Sequence, residues 1–592
     1  MRKHVWLLVL FTISFVNAQE ETTNKAKDTI IKTEVVKVVT SYVPKITDAF
    51  KIKQKPTITH SKDTEKKKLD YQIISVPVAS TFIPKSGAMK KIDLGKRERL
   101  YDNYVSAGFG MQIAPFLEGF YRRNLSHDSE LGVYANFILS LDPVQNTQLS
   151  STFYNMDVDI SYKQVERLYT WEAGLNLERN KYSWYGLPTN IDFRESVISS
   201  IDPSQTFGFY NIYGNVAFDD SLINTIDGSA YFFSDAFSSS EVNIDANANF
   251  IFPLDRIHRD MNDLSLTLST YYLAGKFAFS YEAPTEIKYS FFNLGLHPTY
   301  KFAVRDLAVK LGAKAYLGLD LENSLTNLLV YPDVEISYPI VKDFVDIYIG
   351  ASGDLENNSF RKFTEENPFV SPSLNITQTN TKYSAFGGLR GKLGQQFSYN
   401  VKGSYADIED YALHTLNYSK SDGNRGTGNN GFFLYGYEYG NSFRVLYDDT
   451  KLISVFGEVA FEGIKDLIVG GNVTFNKFTL ENELQPWNIP QIKGELFGSY
   501  KVDKWYAGAN IFFVGERKGV QYAGTDVAPF DVINLDSYID INLNGGYHFH
   551  DDFSVFLNLK NIMNTNYQRY TNYNVQGFQA MAGLTWKFDS MF

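Results

Sequence analysis

Eight histidines and no cysteine are what this chain offers to metal chemistry. Two of them, His548 and His550, stand two residues apart, with Asp551 and Asp552 directly after. Residues i and i+2 of a strand project from one face, so the pair has the spacing of two ligands to one ion. A zinc site needs three or four protein ligands, and no third is identifiable. The expectation is therefore a polar turn between two strands. Other chemistries fare no better. The chain holds no Gly-x-Ser-x-Gly, no His-Glu-x-x-His and no dinucleotide fingerprint. The run Lys420-Ser421-Asp422-Gly423-Asn424-Arg425-Gly426-Thr427-Gly428 is glycine-rich but lacks the Gly-Lys-Ser/Thr ending of a phosphate loop and the helix that must follow. It reads as a surface loop too polar and glycine-rich to pack tightly. No catalytic residue, cofactor or metal is expected, and no enzyme.

The elements that would position the histidines are more telling. Ile539, Ile541, Leu543, Tyr547 and Phe549 alternate with Asp540, Asn542, Asn544, His548 and His550. The last residues repeat the pattern. Phe578, Ala580, Ala582, Leu584, Trp586 and Phe588 make an apolar face, and Gln579, Met581, Gly583, Thr585 and Lys587 the other. Period two is the signature of a strand with one apolar and one polar wall.

Arg2 and Lys3 precede an apolar stretch from Val5 to Val16, and Ala18 ends a cleavage site, so 1–18 reads as a signal peptide. Twelve apolar residues are too few to span a bilayer, which takes about 20, and no later segment is long enough either. Mean hydropathy is -0.24, far too polar for a helical membrane protein of this size. A transmembrane barrel tolerates that value because half of each strand faces a wet lumen. The 40 Tyr and 46 Phe suit the aromatic girdles of such a barrel. Zero Cys in an exported chain means a fold that needs no disulfide.

Charge divides the chain. Residues 19–100 carry 18 Lys+Arg and 10 Asp+Glu, a net of +8. Residues 101–592 carry 36 and 57, a net of -21, which argues against nucleic acid as a partner. The first region lacks strong periodicity and reads as a short, largely extended periplasmic segment. The second contains 24 candidate strands, among them 431–439, 442–447 and 452–461. About 22 residues per strand and connection fits an outer-membrane barrel. The strand number must be even, and 22 is expected within a range of 20 to 24. The expected large loops are 187–206, 355–379, 407–430 and 516–535. The fold class is therefore all-β: a large antiparallel transmembrane β-barrel over 101–592. Asp540, Asn542, Asn544, Lys493, Glu495 and Lys587 are expected in its lumen.

The last three strands resemble those of TonB-dependent receptors. The resemblance lies in Tyr538–Leu543, in Phe553–Tyr567 with Asn561, Ile562, Asn564 and Tyr567 as the turn after the penultimate strand, and in Gly583–Phe588. It covers about the last 60 residues. It implies a closing strand read by the barrel-insertion machinery through Gly583, Leu584, Trp586 and Phe588 or Phe592. It also implies that Thr33–Tyr42, with Val35, Val36, Val38, Val39 and Tyr42, is a contact box for a periplasmic partner. The family carries a plug of well over a hundred residues before the barrel, whereas only 82 lie between Ala18 and Tyr101. The chain thus resembles a plug-less receptor-like barrel in the cell outer membrane, held in lipid. Its lumen must be filled by the N-terminal segment, by its own loops or by a partner. Transport of a solute or polypeptide is the expected function. The alternative is a structural scaffold that holds periplasmic or lipoprotein partners in an outer-membrane complex for export or membrane assembly.

Overall fold

The alternating pattern becomes 22 antiparallel strands that close on themselves. The computed structural model describes residues 101–589, apart from 112, 142–143, 220, 257, 260, 395 and 429–430. The expected signal peptide at 1–18, the 19–100 segment with Val35, Val36, Val38, Val39 and Tyr42, and Phe592 lie outside the described residues. The first strand, Asn103–Gly110, pairs with the last, Gln579–Phe588, in a register running from Asn103 opposite Phe588 to Gly110 opposite Met581. Closure is what lipid demands, because an open sheet edge would leave backbone groups with no water to bond.

The two walls fall as the pattern requires. On Ser204–Phe218, Tyr210 and Ile212 face outward, while Phe207, Phe209 and Tyr213 face the lumen. On the closing strand Leu584 and Trp586 are exposed on the outer wall, and Thr585, 2% exposed, shares a hydrogen bond of 3.0 Å with Ser106 of the first strand. Exposed aliphatic side chains recur around the outside, including Leu117, Ile244, Leu328, Ile349 and Val473. In water such a belt would be an aggregation surface; in lipid it is the solvent-matched wall.

The lumen wall is polar. Asn176 donates to Asp157 at 2.7 Å, Tyr213 to Asp159 at 3.0 Å and Asn247 to Asp227 at 3.0 Å. Between strands of the same wall, Lys310 pairs with Asp333 at 2.6 Å and Lys314 with Asp354 at 2.8 Å. Tight turns such as 305–306 and 465–466 close one end, with Arg305 and Asp466 in the left-handed conformation that two-residue hairpins use. Trp505 packs on Tyr547 and Trp586 on Phe588 at that end, as part of an aromatic rim. The long loops crowd the other end, which is extracellular in barrels of this kind.

The excess of candidate strands has a local cause. Residues 431–439 lie in a loop, and 442–447 and 452–461 are parts of one strand, Phe443–Ile464. Its partner Phe397–Leu416 runs ten residues beyond the expected start of a loop at 407. A bulge between Ile408 and Tyr411, with Asp410 left-handed, breaks the alternation there and hides both strands' continuity. The loop expected at 516–535 contains a hairpin of its own, Arg517–Tyr522 with Phe530–Leu535. The loop 561–578, not anticipated as a large one, holds a second small hairpin.

Candidate functional site

The extracellular loops do not stand out into solvent. They fold inward and interlock across the mouth of the barrel. The loop 184–203 includes the short helix α1 (Glu195–Ile198), and 357–378 includes α2 (Phe360–Glu366). Ser359 starts α2: its hydroxyl accepts from the Lys362 amide at 3.0 Å, which satisfies one of the first-turn donors.

The start of α2 rests on the wall. The fully buried carboxylate of Glu241, at the extracellular end of Ser240–Phe252, accepts from the amides of Phe360 at 2.6 Å and Arg361 at 3.2 Å. Tyr289 and Tyr231 donate to the same carboxylate at 2.6 and 3.0 Å. An anion at a helix N-terminus meets unpaired amides and the positive end of the dipole, so the negative charge is matched without a cation. Phe360, 1% exposed, enters a nest of lumen-facing rings, with centroids 4.9 Å from Phe277, 5.2 Å from Phe233 and 6.0 Å from Phe207. Phe363 is fully buried beside His414. The charged residues of α2 meet charge. Arg361 lies 3.2 Å above the Phe209 ring and pairs with Glu178 at 2.9 Å; Lys362 pairs with Glu356, and Glu366 with His414 at 3.2 Å. Burial pushes the Lys362 ammonium below its ordinary value.

Other loops lock onto this one. Trp184 donates from its indole to the Phe369 carbonyl at 3.1 Å, and Tyr570 to the Glu366 carbonyl at 2.6 Å. Asn441 donates to the Trp184 carbonyl at 2.7 Å, and Tyr573 donates to the Asn441 carbonyl. Arg517 of the small hairpin donates to the carbonyls of Gln568 and Arg569 at 2.8 and 2.9 Å. Thr571 donates to Asn488, which carries 481–491 into the same network. Tyr573 stacks on Phe369 at 3.8 Å.

The glycine-rich run at 420–428 is part of this cap, contrary to the expectation of a loosely packed loop. Ser419 and Ser421 are buried, and Lys420 pairs with Glu438 over the Tyr281 ring. Gly423, at φ +85°, accepts from the Arg194 amide at 3.0 Å. A Cβ on Gly423 would run into the Asp192 carbonyl oxygen. Glycine here permits backbone to approach backbone, so the feature that suggested looseness allows close contact between two loops.

The residues singled out from sequence lie elsewhere. His548 ends the strand Tyr538–His548 and His550 sits in the turn after it, as expected of a polar turn. Among the described residues no group of three potential ligands could hold a metal ion. Gly583, Leu584, Trp586 and Phe588 lie on the closing strand. Asn561 is buried, accepts from the Thr565 amide at 2.9 Å and donates to the Thr565 and Gln576 carbonyls. Tyr567 stacks on Tyr538 at 3.7 Å and donates to Asp540 at 2.6 Å, so Asp540 faces inward. The turn carrying the resemblance thus braces the cap. Sequence reasoning missed Glu241, Tyr231 and Tyr289. The only legible signal was Ser359 as an N-cap, followed by apolar residues at 360 and 363.

No family model matches the chain, and no curated protein matches it. Solved structures do match its architecture. A point mutant of the ferric enterobactin receptor PfeA of Pseudomonas aeruginosa aligns over 82% of this chain and 80% of its own, at 11% identity and a TM-score of 0.58. The barrel has the TonB-dependent-receptor fold. The siderophore receptor PirA of Acinetobacter baumannii covers 83% and 81%, at 11% identity and a TM-score of 0.59. The pyoverdine outer membrane receptor FpvA of Pseudomonas aeruginosa PAO1 covers 83% and 79%, at 12% and 0.59. All three neighbours are named as receptors. The receptor-type barrel is an outer-membrane architecture, and its described residues form strands and their connections with no plug among them.

Proposed function

We propose that the protein is an outer-membrane transport barrel whose outer mouth is held shut by its own loops, and that it passes a polar solute or an extended polypeptide when the cap is displaced. The observation that carries this is a polar lumen wall, rich in Asn, Asp and Tyr, leading up to a cap of inward-folded loops. Such a wall replaces the hydrogen bonds of a polar cargo at low cost, and a wide barrel must be closed at rest. The siderophore receptors share the fold and support the transport class. On this reading residues 19–100 are the periplasmic segment, Val35, Val36, Val38, Val39 and Tyr42 meet a periplasmic partner, and Gly583, Leu584, Trp586, Phe588 and Phe592 are read by the insertion machinery.

A scaffold function is the second reading. It is favoured by Phe433, 88% exposed on the 417–442 loop. An aromatic ring so exposed on an otherwise knitted surface suits a protein contact. Purifying the intact protein from outer membranes and measuring flux in the same preparation separates the two. Cargo flux in the purified barrel supports transport. Stoichiometric partners with no flux refute it in favour of the scaffold.

A further inference from the structure

We infer that 357–368, the part of the 357–378 loop that carries α2, is a displaceable gate and that Glu241 is the latch that holds it shut. This rests on the transport reading and names the moving part. Between the end of the strand Val345–Glu356 and residues 369–371, the loop is joined to the wall by side chains and capping bonds. Its strand-like backbone pairing begins at Phe369, whose carbonyl accepts from the Phe443 amide at 3.0 Å, and at Ser371, whose amide donates to the Phe443 carbonyl at 2.8 Å. The strand end and this pairing are pivots, and α2 lies between them.

The joint under α2 is built largely from charge. Arg361 meets Glu178, Lys362 meets Glu356, Glu366 meets His414, and two helix amides meet Glu241. Buried ion pairs add little net stability, because each partner regains its water on separation. A joint meant to be permanent is better made of apolar surface. Val370, Leu374 and Ile376 anchor the far side of the loop in the apolar cluster, whereas before residue 369 the apolar part is confined to Phe360 and Phe363, so the closed state is favoured at rest and the polar part can part and rehydrate. Bistable elements of this kind are what gates are made from.

Glu241 is the point of convergence. Two wall hydroxyls and two helix amides all donate to its carboxylate. An amide in its place would turn an NH2 group toward donors and leave at least one of them without an acceptor. Glu241→Gln therefore conserves size while removing the latch. Phe360→Ala with Arg361→Ala attacks the same joint from the loop side and leaves the strands' sequences intact.

The absence of cysteine gives a clean assay. Asn215 faces the lumen on Ser204–Phe218, beneath the ring nest, and is exposed there. In an Asn215→Cys background, intact cells are treated with a maleimide too bulky for general porins, and the labelling rate is read on the folded, heat-modifiable band. Both Glu241→Gln and the Phe360/Arg361 double variant are expected to label at least about tenfold faster than the parent, the change that 1.4 kcal/mol in the closing equilibrium produces. A Glu195→Ala control, exposed on α1, stays at the parental rate. If either variant keeps its heat-modifiable barrel and labels at the parental rate, the gate is refuted. Uptake is scored in parallel. Faster labelling without any flux upholds the gate and refutes the transport reading instead.

Discussion

Replacing Ile212 with arginine should cripple the barrel, whereas the same replacement at Asn215, three residues along the same strand, should not. Ile212 lies near the middle of Ser204–Phe218, 65% exposed on the lipid face, between Leu175 and Ala230 of the flanking strands. An arginine there puts its charge at the bilayer midplane, at a cost of about 2–4 kcal/mol. At a tenfold change per 1.4 kcal/mol, that lowers the folded-to-unfolded ratio roughly 30- to 700-fold. Asn215 lies between Glu172 and Asp227, both facing the lumen. An arginine there meets two carboxylates in water-accessible surroundings, so about 0–1 kcal/mol is expected, of either sign. The assay is urea unfolding of both variants in lipid vesicles, followed by heat-modifiability on gels. Equal losses in the two, or a greater loss at Asn215, would show that the walls are reversed. The more obvious pair, Leu584 and Thr585, makes a poorer test. Thr585 is hydrogen-bonded to Ser106 and nearly inaccessible, so arginine would overpack it whichever wall it faced.

Deleting 577–592 removes the partner of both Asn103–Gly110 and Phe553–Lys560; no heat-modifiable barrel should reach the outer membrane, and its appearance there would overturn the closed topology. Deleting Gln19–Leu94 should leave a folded barrel whose exclusion of large antibiotics is unchanged, because the loops close the outer mouth, while a co-purifying periplasmic partner is lost. A rise in antibiotic sensitivity would assign occlusion to that segment. Burial pushes the Glu366 carboxyl up, but the hydrogen bond and charge of His414 outweigh it and hold the group below the usual carboxylate range. A depressed folded pKa adds stability above the unfolded value of about 4.3, and that stability is lost as pH falls through the folded value. Hydrogen exchange across 357–378 should therefore be slow at about pH 6 and accelerate, relative to the intrinsic rate, as the pH drops below about 4. Protection that stays constant over that range would remove Glu366 from the joint.

Much of the barrel was written locally. The alternation of Ile539 with Asp540, or of Leu584 with Thr585, is fixed by residue order, because a strand's side chains change sides at every step. From it followed the two walls; the even strand number came from the rule that outer-membrane barrels obey. Where a bulge disturbed the step, at Ile408–Tyr411, the reading of strand length failed with it. The cap was legible only in fragments, such as the N-cap at Ser359. Glu241 and Phe360 are separated by 119 positions and gain their meaning only when closure of the barrel sets one wall beneath another loop. Gly423 spoke of freedom in the sequence and serves close contact in the fold. Period and composition are properties of neighbours along the chain. What fills a lumen is decided by neighbours across it, and those exist only once the barrel has closed.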